Sequence, residues 1–370
     1  MFASLLRIWT MAFKEFRHIR RDPQTLFFTI FVPILELFLL GYAIDMNVRD
    51  VRTVIVDHAG TQESKALLRQ FENSRDFAVV RTCYSDADVY QAIVAGEAMV
   101  GIIIPEDFSR RLERGETAQV QVLVDGSVSS IAAEAVSAGN AIALRESLAK
   151  ALGDRPLAVE ARPRILFNPD TRSANFFIPG LLVVMCQMMT TMLSATAIVK
   201  EKEMGTLEQL YMSPVRRGEL ILGKTAPYAL LAVFEFCFLA VLMRYAFAVP
   251  IRGSFLTLLA LAVPFVLTML GAGLLISTRA DTRDAAGQMA MGTILPAIFL
   301  SGYVFPLDSM PPFFRWIANV IPTTWLIDAA RGVILRGAGW PELWQHAAVL
   351  WGMAIAALTV ASLRLRKRLA

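Results

Sequence analysis

The sequence predicts an α-helical polytopic membrane protein with six transmembrane helices and an α/β domain inserted between the first two. Three observations lead to this fold class. The 370-residue chain is 55% hydrophobic and only 18% charged, with a mean hydropathy of +0.51, which is too apolar for a soluble protein of this length. Six apolar runs approach the length that crosses a bilayer. A single long polar block, residues 46–172, separates the first run from the second.

Residues 1–22 are predicted to form an amphipathic helix lying in the inner membrane interface. Within the stretch SLLRIWTMAFKEFRHIR, apolar residues recur at helical spacing on one side, and arginine and lysine lie largely on the other. The apolar side consists of Leu5, Ile8, Trp9, Ala12, Phe13 and Phe16. The run that follows starts late, is long and lacks a clear cleavage site, so we expect it to remain as a signal anchor.

The first transmembrane helix is assigned to residues 23–45, and the other five lie within 173–370. The apolar runs that define the six spans are 25–45, 174–199, 225–248, 255–278, 286–305 and 343–363. Gly287, Gly292 and Pro296 interrupt the fifth run. Residues 300–335 contain too many prolines and glycines for a plain span, and they predict short half-helices that re-enter from the outer face.

The distribution of Lys and Arg predicts that both termini are cytoplasmic. Basic residues gather in 1–22, in the loop 200–224 and after residue 363, as the positive-inside rule requires for inner segments. The net charge of +4 therefore fits membrane orientation better than nucleic-acid binding, which we do not expect. Five arginines in predicted outer segments argue against this orientation: Arg244, Arg252, Arg315, Arg331 and Arg336.

The polar block 46–172 is predicted to be an α/β domain outside the inner membrane. Strand-like runs such as VRTVIVD at 51, FAVVRTC at 77, AMVGIII at 98, AQVQVLVD at 118 and PRILFNP at 163 alternate with helical patterns. Asp57 and Asp125 end two of these runs and imitate the aspartate that holds magnesium in nucleotide-binding domains. We interpret both as turn or helix-cap residues.

The stretch GELILGKT at 218–225 matches the pattern of a phosphate-binding loop, G-x-x-x-x-G-K-[ST]. A phosphate loop needs a buried strand before it, small residues within it and a helix of a soluble core after it. Here a charged turn precedes the stretch, Glu-Leu-Ile-Leu fills it and an apolar span follows. We therefore expect no nucleotide site, and we expect Lys224 to lie at the lipid headgroups.

The loop 200–224 carries the segment E-K-E-x-G-T-L-E at 201–208, followed by Pro214 and a basic pair. This segment resembles the loop after the second span in permeases of the ABC-2 type. The order of elements is also similar to that family: an interfacial helix, one span, a large outer domain and five further spans with a broken hairpin before the last. The resemblance covers nearly the whole chain.

The resemblance implies a permease subunit of a bacterial ATP-driven exporter for a drug-like or lipid-like amphiphile, located in the inner membrane. In such permeases this loop couples to a separate cytoplasmic ATPase subunit that binds the ATP, so this chain itself would hold no cofactor and catalyse no reaction. The residues that would face the ATPase are Glu201, Lys202, Glu203, Gly205, Thr206, Glu208 and Gln209. A second permease copy or paralogue would complete the pathway, membrane lipids would surround it, and a periplasmic adaptor protein is a further candidate partner.

Two carboxylates, Glu36 and Glu235, fall near the middle of predicted spans. An isolated charge there is costly, so each is predicted to face other helices or a cavity, or to be protonated. Either residue is a candidate for contact with substrate or protons, and an interhelical hydrogen bond is the equal alternative. Scattered cysteines and histidines predict neither a disulfide framework nor a metal site.

Two other function classes stay open from the residues alone. The chain could be a membrane-anchored receptor that senses a ligand through its outer α/β domain, although five spans follow that domain without an inner output domain. It could also be a proton-coupled transporter that works alone through Glu36 and Glu235, although it lacks a detectable internal repeat.

Overall fold

In a computed structural model, the chain forms two compact units: unit 1 comprises Met1–Asp45 and Ile165–Ala370, and unit 2 comprises Met46–Arg164. The structure describes residues 2–43, 50–74, 76–126, 129–152, 166–169, 172–205 and 217–364. Each unit has its own buried core.

The helices follow in chain order. Before the sheet lie α1 (Phe2–Arg20) and α2 (Pro23–Ala43). Unit 2 contains α3 (Gln62–Glu72), α4 (Asp86–Val94), α5 (Phe108–Glu113) and α6 (Ser129–Leu152). Unit 1 continues with α7 (Ser173–Glu203), α8 (Arg217–Tyr245), α9 (Phe255–Ser277), α10 (Arg283–Leu300), α11 (Pro312–Val320), α12 (Pro322–Arg331) and α13 (Trp340–Arg364).

Four of the described helices are long and apolar enough to cross a membrane: α7, α8 from Gly218 onward, α9 and α13. A shorter apolar stretch, Thr29–Tyr42, lies within α2, and α10 has 18 residues. A helix therefore covers each predicted span, but the number six stays a prediction. The protein is mostly helical and has the apolar helices of a polytopic membrane protein.

The core of unit 1 is formed mainly by α7, α8 and α9. Large side chains such as Leu181, Phe236 and Phe265 are almost completely buried there. Several helices contain an internal proline, among them Pro179 and Pro264, and both of these residues are buried. The apolar runs that predict these helices thus pack against one another in this core.

Unit 2 contains a four-stranded mixed sheet in the order β2-β1-β3-β4. The strands are β1 (Val51–Asp57), β2 (Phe77–Thr82), β3 (Val100–Ile104) and β4 (Gln121–Val124). Strand β1 is parallel to both β2 and β3, whereas β4 is antiparallel to β3. Of the strand predicted at 163–169, residues 166–169 are described and are not in a strand.

Asp57 acts as the turn residue that the sequence predicts. One of its carboxylate oxygens accepts the backbone N–H groups of Ala59 and Gly60, both at 3.1 Å. The other accepts the hydroxyl of Ser64 at 2.7 Å, in the first turn of α3. Both oxygens of this carboxylate therefore stabilise the turn that leads from β1 into α3.

The predicted hairpin at 300–335 consists of short helices: a 3₁₀ turn at Leu307–Ser309, then α11 and α12, and a π-helical turn at Gly332–Arg336. Arg331 holds this region together. Its guanidinium donates to the carbonyls of Gly302 (2.8 Å), Tyr303 (3.1 Å) and Phe176 (3.2 Å). These bonds join α12 to the end of α10 and the start of α7, whereas re-entry from the outer face stays a prediction.

Candidate functional site

The candidate site is the end of α7, residues 200–203, where the sequence Lys-Glu-Lys-Glu forms ion pairs with three different parts of unit 1. We call these four residues the KEKE segment. They lie in the last turn of a helix that is buried along most of its length. The segment opens the loop that the sequence predicts to be the coupling element.

Glu201 belongs to a buried ionic cluster, which we define as Glu15 of α1, Glu201 of α7 and Lys224 of α8. The Lys224 ammonium lies 2.8 Å from a Glu15 oxygen and 3.2 Å from a Glu201 oxygen. It also donates to the carbonyl of Ala197 at 3.4 Å. The three side chains are at most 9% exposed. One lysine therefore ties three helices together.

Two neighbouring groups extend the buried ionic cluster. Lys14 lies 3.5 Å from the same Glu201 oxygen, and the Tyr228 hydroxyl donates to the second Glu15 oxygen at 3.5 Å. Buried carboxylates require such partners, because an uncompensated charge away from water is strongly unfavourable. Lys14 and Lys224 together offset the two negative charges.

One sequence-based expectation is corrected by this cluster. Lys224 does not lie at the headgroups, because its ammonium is buried between carboxylates. Glu201 accepts a hydrogen bond from Lys224 of the neighbouring helix inside unit 1, and its predicted contact with an ATPase stays a prediction. The pattern GELILGKT lies within the first turns of α8, which begins at Arg217 rather than at the predicted Thr225. Its backbone is helical, and its lysine is already paired.

The remaining members of the KEKE segment form ion pairs with residues that connect other helices of unit 1. Lys200 lies 3.8 Å from Asp22, which separates α1 from α2. Lys202 donates to Asp281, which lies between α9 and α10. The Lys202 ammonium holds the pKa of the Asp281 carboxyl below its usual range. The hydrogen bond between the two groups is the larger cause, and the attraction between their charges is the smaller one. Lys200 and Lys202 therefore bind two separate interhelical segments, the one between α1 and α2 and the one between α9 and α10.

Glu203 anchors the beginning of α10. Its carboxylate accepts the backbone N–H of Arg283 at 2.8 Å and the Arg283 guanidinium at 2.6 Å. A carboxylate at a helix N-terminus is favoured by the free N–H groups and the helix dipole there. The end of α7 is thereby fixed to the start of α10.

The other predicted coupling residues are only partly described. Gly205 is exposed and has φ +67°, the left-handed conformation with which helices commonly end. Thr206, Glu208 and Gln209 lie outside the described residues. The coupling role of the loop stays a prediction.

Helix α1 packs its polar side on α8. Glu219 accepts the Ser4 hydroxyl and lies 3.4 Å from the Arg7 guanidinium. At Gly223 the contact is close: a Cβ there would lie 2.8 Å from the Cβ of Met11. The apolar residues Leu5, Trp9, Phe13 and Phe16 are exposed on the other side of α1, as an interfacial helix requires.

The two carboxylates predicted within spans differ from the buried ionic cluster. Glu235 is 3% exposed, and neither of its oxygens has a hydrogen-bond partner among the described residues. Glu36 is half-buried, and one of its oxygens is likewise without a partner in the described part of the chain. The interhelical hydrogen bond weighed for Glu235 is therefore not formed there.

Sequence reasoning missed Glu15, Asp22, Asp281 and Arg283. A signal existed for two of them, since Glu15 and Asp22 are the acidic residues of the otherwise basic first 22 positions. Both bind lysines at the two limits of the predicted coupling loop, Lys224 and Lys200. No comparable sequence pattern indicates the other two partners, Asp281 and Arg283.

Comparisons with known proteins identify the family of the chain. Residues 23–363, from the first residue of α2 into the last helix, match the family described as ABC-2 family transporter protein. The chain is 30% identical over 342 residues to the probable multidrug ABC transporter permease YbhS of Escherichia coli K12, covering 90% of each chain. It is 27% identical over 357 residues to YbhR, a probable multidrug ABC transporter permease of the same organism, covering 96% of each.

A more distant relative is the linearmycin resistance permease protein LnrN of Bacillus subtilis, 23% identical over 380 residues, with 94% of this chain and 96% of LnrN covered. The resemblance inferred from the loop 200–224 and the order of elements is thus confirmed over most of the chain. This chain belongs to the ABC-2 transporter family and is a membrane-embedded ABC transporter permease.

Proposed function

We propose that the chain forms the transmembrane pathway of an ATP-driven exporter for a drug-like or lipid-like amphiphile. A separate cytoplasmic ATPase subunit would dock on the loop that starts at the KEKE segment, and a second permease copy or paralogue would complete the pathway. The observation that supports this proposal is the set of ion pairs made by residues 200–203. A push on the loop would reach α1, α8 and α10 through these ion pairs.

Six spans with both termini in the cytoplasm are part of this proposal. In unit 1, contacts join residues 15 and 22 with 200–203, 224 and 281–283; we call this the charged end. Another set of contacts joins Arg172 with Phe247, residues 252–253 with 333–334, and Arg331 with 302–303. Six consecutive spans would bring alternate connections together in this way.

The outer arginines that argue against the orientation are largely bound by neighbours. Arg331 is surrounded by carbonyls, as described above. Arg315 donates to the carbonyls of Leu307 and Asp308, and Arg336 lies 3.3 Å from Asp328. These charges have structural partners, which supports counting the charged end as the cytoplasmic one and unit 2 as outside.

The test combines co-purification with export. The intact permease, purified gently from its own host, should bring an ABC ATPase with it, and export should require that subunit. Lys202→Asp should impair export, since it breaks the pair with Asp281. The double variant Lys202→Asp with Asp281→Lys restores the internal pair and should recover export.

The double variant separates two roles of Lys202. Recovery in the swapped pair would show that the residue acts through α9 and α10, whereas continued loss would show direct contact with the ATPase. If no ATPase associates and Lys202→Asp exports normally, the proposed function is wrong. Lys200→Ala is the control, because its 3.8 Å pair is loose.

A proton-coupled transporter remains the second candidate, because Glu235 is buried without a partner in the described residues. A carboxyl group in that position can accept a proton or meet a cationic ligand. Export driven by a pH gradient in vesicles that contain the permease alone, and lost in Glu235→Gln, would favour this candidate over the ATP-driven exporter.

A further inference from the structure

We propose that the exposed side of α1 binds a phospholipid whose head group carries a net negative charge. The binding surface consists of Trp9, Phe13, Phe16, Arg17 and Arg20, and we call it the basic aromatic patch. Its position in the cytoplasmic leaflet rests on the topology of the proposed function. The binding of the lipid itself does not depend on that topology.

The members of the basic aromatic patch share one side of α1. Trp9, Phe13 and Arg17 follow one another at intervals of four residues, so they lie above one another on the helix. Phe16 and Arg20 have the same spacing. The three aromatic side chains are 44–69% exposed. The Arg17 guanidinium lies 4.4 Å from the centroid of the Phe13 ring, so positive charge and apolar surface are in direct contact.

Another side of α1 is fixed within unit 1, and this keeps the basic aromatic patch on the surface. Glu15 and Ile19 are buried, and the Glu15 carboxylate lies 2.8 Å from the Lys224 ammonium of α8. Rotation of α1 about its axis would separate these two charges. The contacts with α8 therefore hold the aromatic and arginine side chains outward.

The arginines at the end of α1 lack an acidic partner in the described part of the chain. Arg17, Arg20 and the adjacent Arg21 are exposed and form no ion pair with a described residue. The acidic residues of the first 22 positions, Glu15 and Asp22, lie beside lysines of α8 and α7 instead. Three positive charges are therefore available to an anionic ligand.

A lipid fits this combination better than a free anion does. A free anion would contact the guanidinium groups and leave the aromatic side chains in water. In a phospholipid, the phosphate would lie at the guanidinium groups while the acyl chains cover the aromatic rings. Only residues 21 and 22 separate α1 from α2, which contains the apolar stretch Thr29–Tyr42. A bilayer that surrounds α2 is therefore within reach of the patch.

The charge of the basic aromatic patch predicts a preference among head groups. A zwitterionic head group carries a cation that offsets its phosphate, whereas an anionic head group carries a net charge opposite to that of the arginines. Each arginine close to an anionic lipid surface is expected to strengthen binding about fivefold. Loss of two arginines should therefore reduce the affinity for an anionic lipid at least about tenfold.

The experiment uses the intact permease, purified in a neutral detergent and titrated with phosphatidylglycerol or with phosphatidylcholine of the same acyl chains. Native mass spectrometry counts the bound lipids. The wild type should bind phosphatidylglycerol more tightly. The double variant Arg17→Gln with Arg20→Gln should lose at least about tenfold of that affinity and bind phosphatidylcholine as before.

The melting temperature shows whether the double variant folds and whether the lipid binds the folded chain. Without lipid it should equal that of the wild type, because both replaced side chains are exposed and form no ion pair with a described residue. Phosphatidylglycerol should raise the melting temperature of the wild type more than that of the double variant, since a ligand that binds the folded state stabilises it.

Arg110→Gln with Arg114→Gln is the matched control. It removes the same charge from two exposed positions at α5 of unit 2 and should bind phosphatidylglycerol like the wild type. Equal binding of the two lipids by the wild type, or an equal loss in this control, would overturn the proposed site. Displacement of phosphatidylglycerol by millimolar inorganic phosphate would overturn the assignment to a lipid.

Neither an ATPase nor a transported molecule is present in this experiment, so the two proposals fail separately. A wild type without preference for phosphatidylglycerol would remove the lipid site and leave the proposed exporter standing. Failed export with an intact preference would instead remove the proposed function and leave α1 as a binding surface for anionic lipid.

Discussion

A single buried lysine joins three helices at the charged end of unit 1. Lys224 has carboxylates of α1 and α7 within 3.2 Å, and the group is almost fully shielded from water. A buried ion pair adds little net stability compared with apolar packing, but removal of one partner leaves the other charge uncompensated. The packing of the three helix ends therefore depends on all three residues of the buried ionic cluster, Glu15, Glu201 and Lys224.

Lys224→Ala should lower the free energy of unfolding by about 3 to 5 kcal/mol, because the buried carboxylates of Glu15 and Glu201 lose the buried ammonium group that they share. Thermal unfolding of the purified chain in detergent measures this change. Lys200→Ala is the control and should cost less than about 1 kcal/mol, since its pair is partly exposed and 3.8 Å long. Equal losses in the two variants would contradict the assigned role of Lys224.

Glu235→Leu should raise the free energy of unfolding by about 1 to 3 kcal/mol, because a buried carboxylate without a described partner is replaced by an apolar side chain of similar size. The same unfolding assay tests this. Export should fall if the carboxyl group contacts the transported molecule. A less stable Glu235→Leu would mean that the carboxylate has a stabilising partner, such as a second permease copy.

At the scale of elements, α1 packs against the first turns of α8. Its polar side makes ion pairs and hydrogen bonds with α8, and its apolar side remains exposed. This arrangement would be unfavourable in water, because a helix in water normally buries its apolar side. The predicted position of α1 at a membrane surface would resolve this, because lipid would accept the apolar side while the charges pair with the protein.

Gly223→Ala should separate α1 from α8 and lower the free energy of unfolding by about 1 to 3 kcal/mol. The added Cβ would lie 2.8 Å from Met11 Cβ and 3.3 Å from the carbonyl oxygen of Ile8. Gly218→Ala, in the same helix, is the control, because a Cβ there meets nothing within 4 Å. If Gly218→Ala destabilises as strongly, the effect does not come from the contact with α1.

At the scale of the whole molecule, the contacts of unit 1 divide its connections into two sets. Ion pairs dominate one set, and bonds to backbone carbonyls dominate the other. A hydrated, anionic inner surface tolerates exposed ion pairs and attracts Lys and Arg. The proposed topology of six spans would place these two sets on opposite sides of the membrane.

Single cysteines test this orientation. In a chain whose three native cysteines are replaced by alanine, Tyr90→Cys in unit 2 should react with a membrane-impermeant maleimide in intact spheroplasts. Arg279→Cys, between α9 and α10, should react only after permeabilisation. Both replaced residues are exposed, so accessibility from one side decides the result. The reverse pattern would invert the proposed topology.

Much of the local structure is determined by the sequence alone. Apolar runs of about 20 residues predict the long helices because a backbone in lipid must bond within itself. Helical spacing of Leu5, Trp9 and Phe13 predicts α1, and short β-branched runs coincide with the four strands of unit 2. These features depend on neighbours a few positions away.

The tertiary structure determines which charged residues form ion pairs with one another. Glu15 and Lys224 are 209 positions apart, and nothing in local spacing joins them. The sequence therefore identifies 200–209 as charged and exposed in character, whereas packing turns Glu201 inward and pairs Lys202 and Glu203 with residues 281–283. Charge composition follows from the chain, but which charges meet depends on how the helices cross, because an ion pair requires a separation of only a few ångströms.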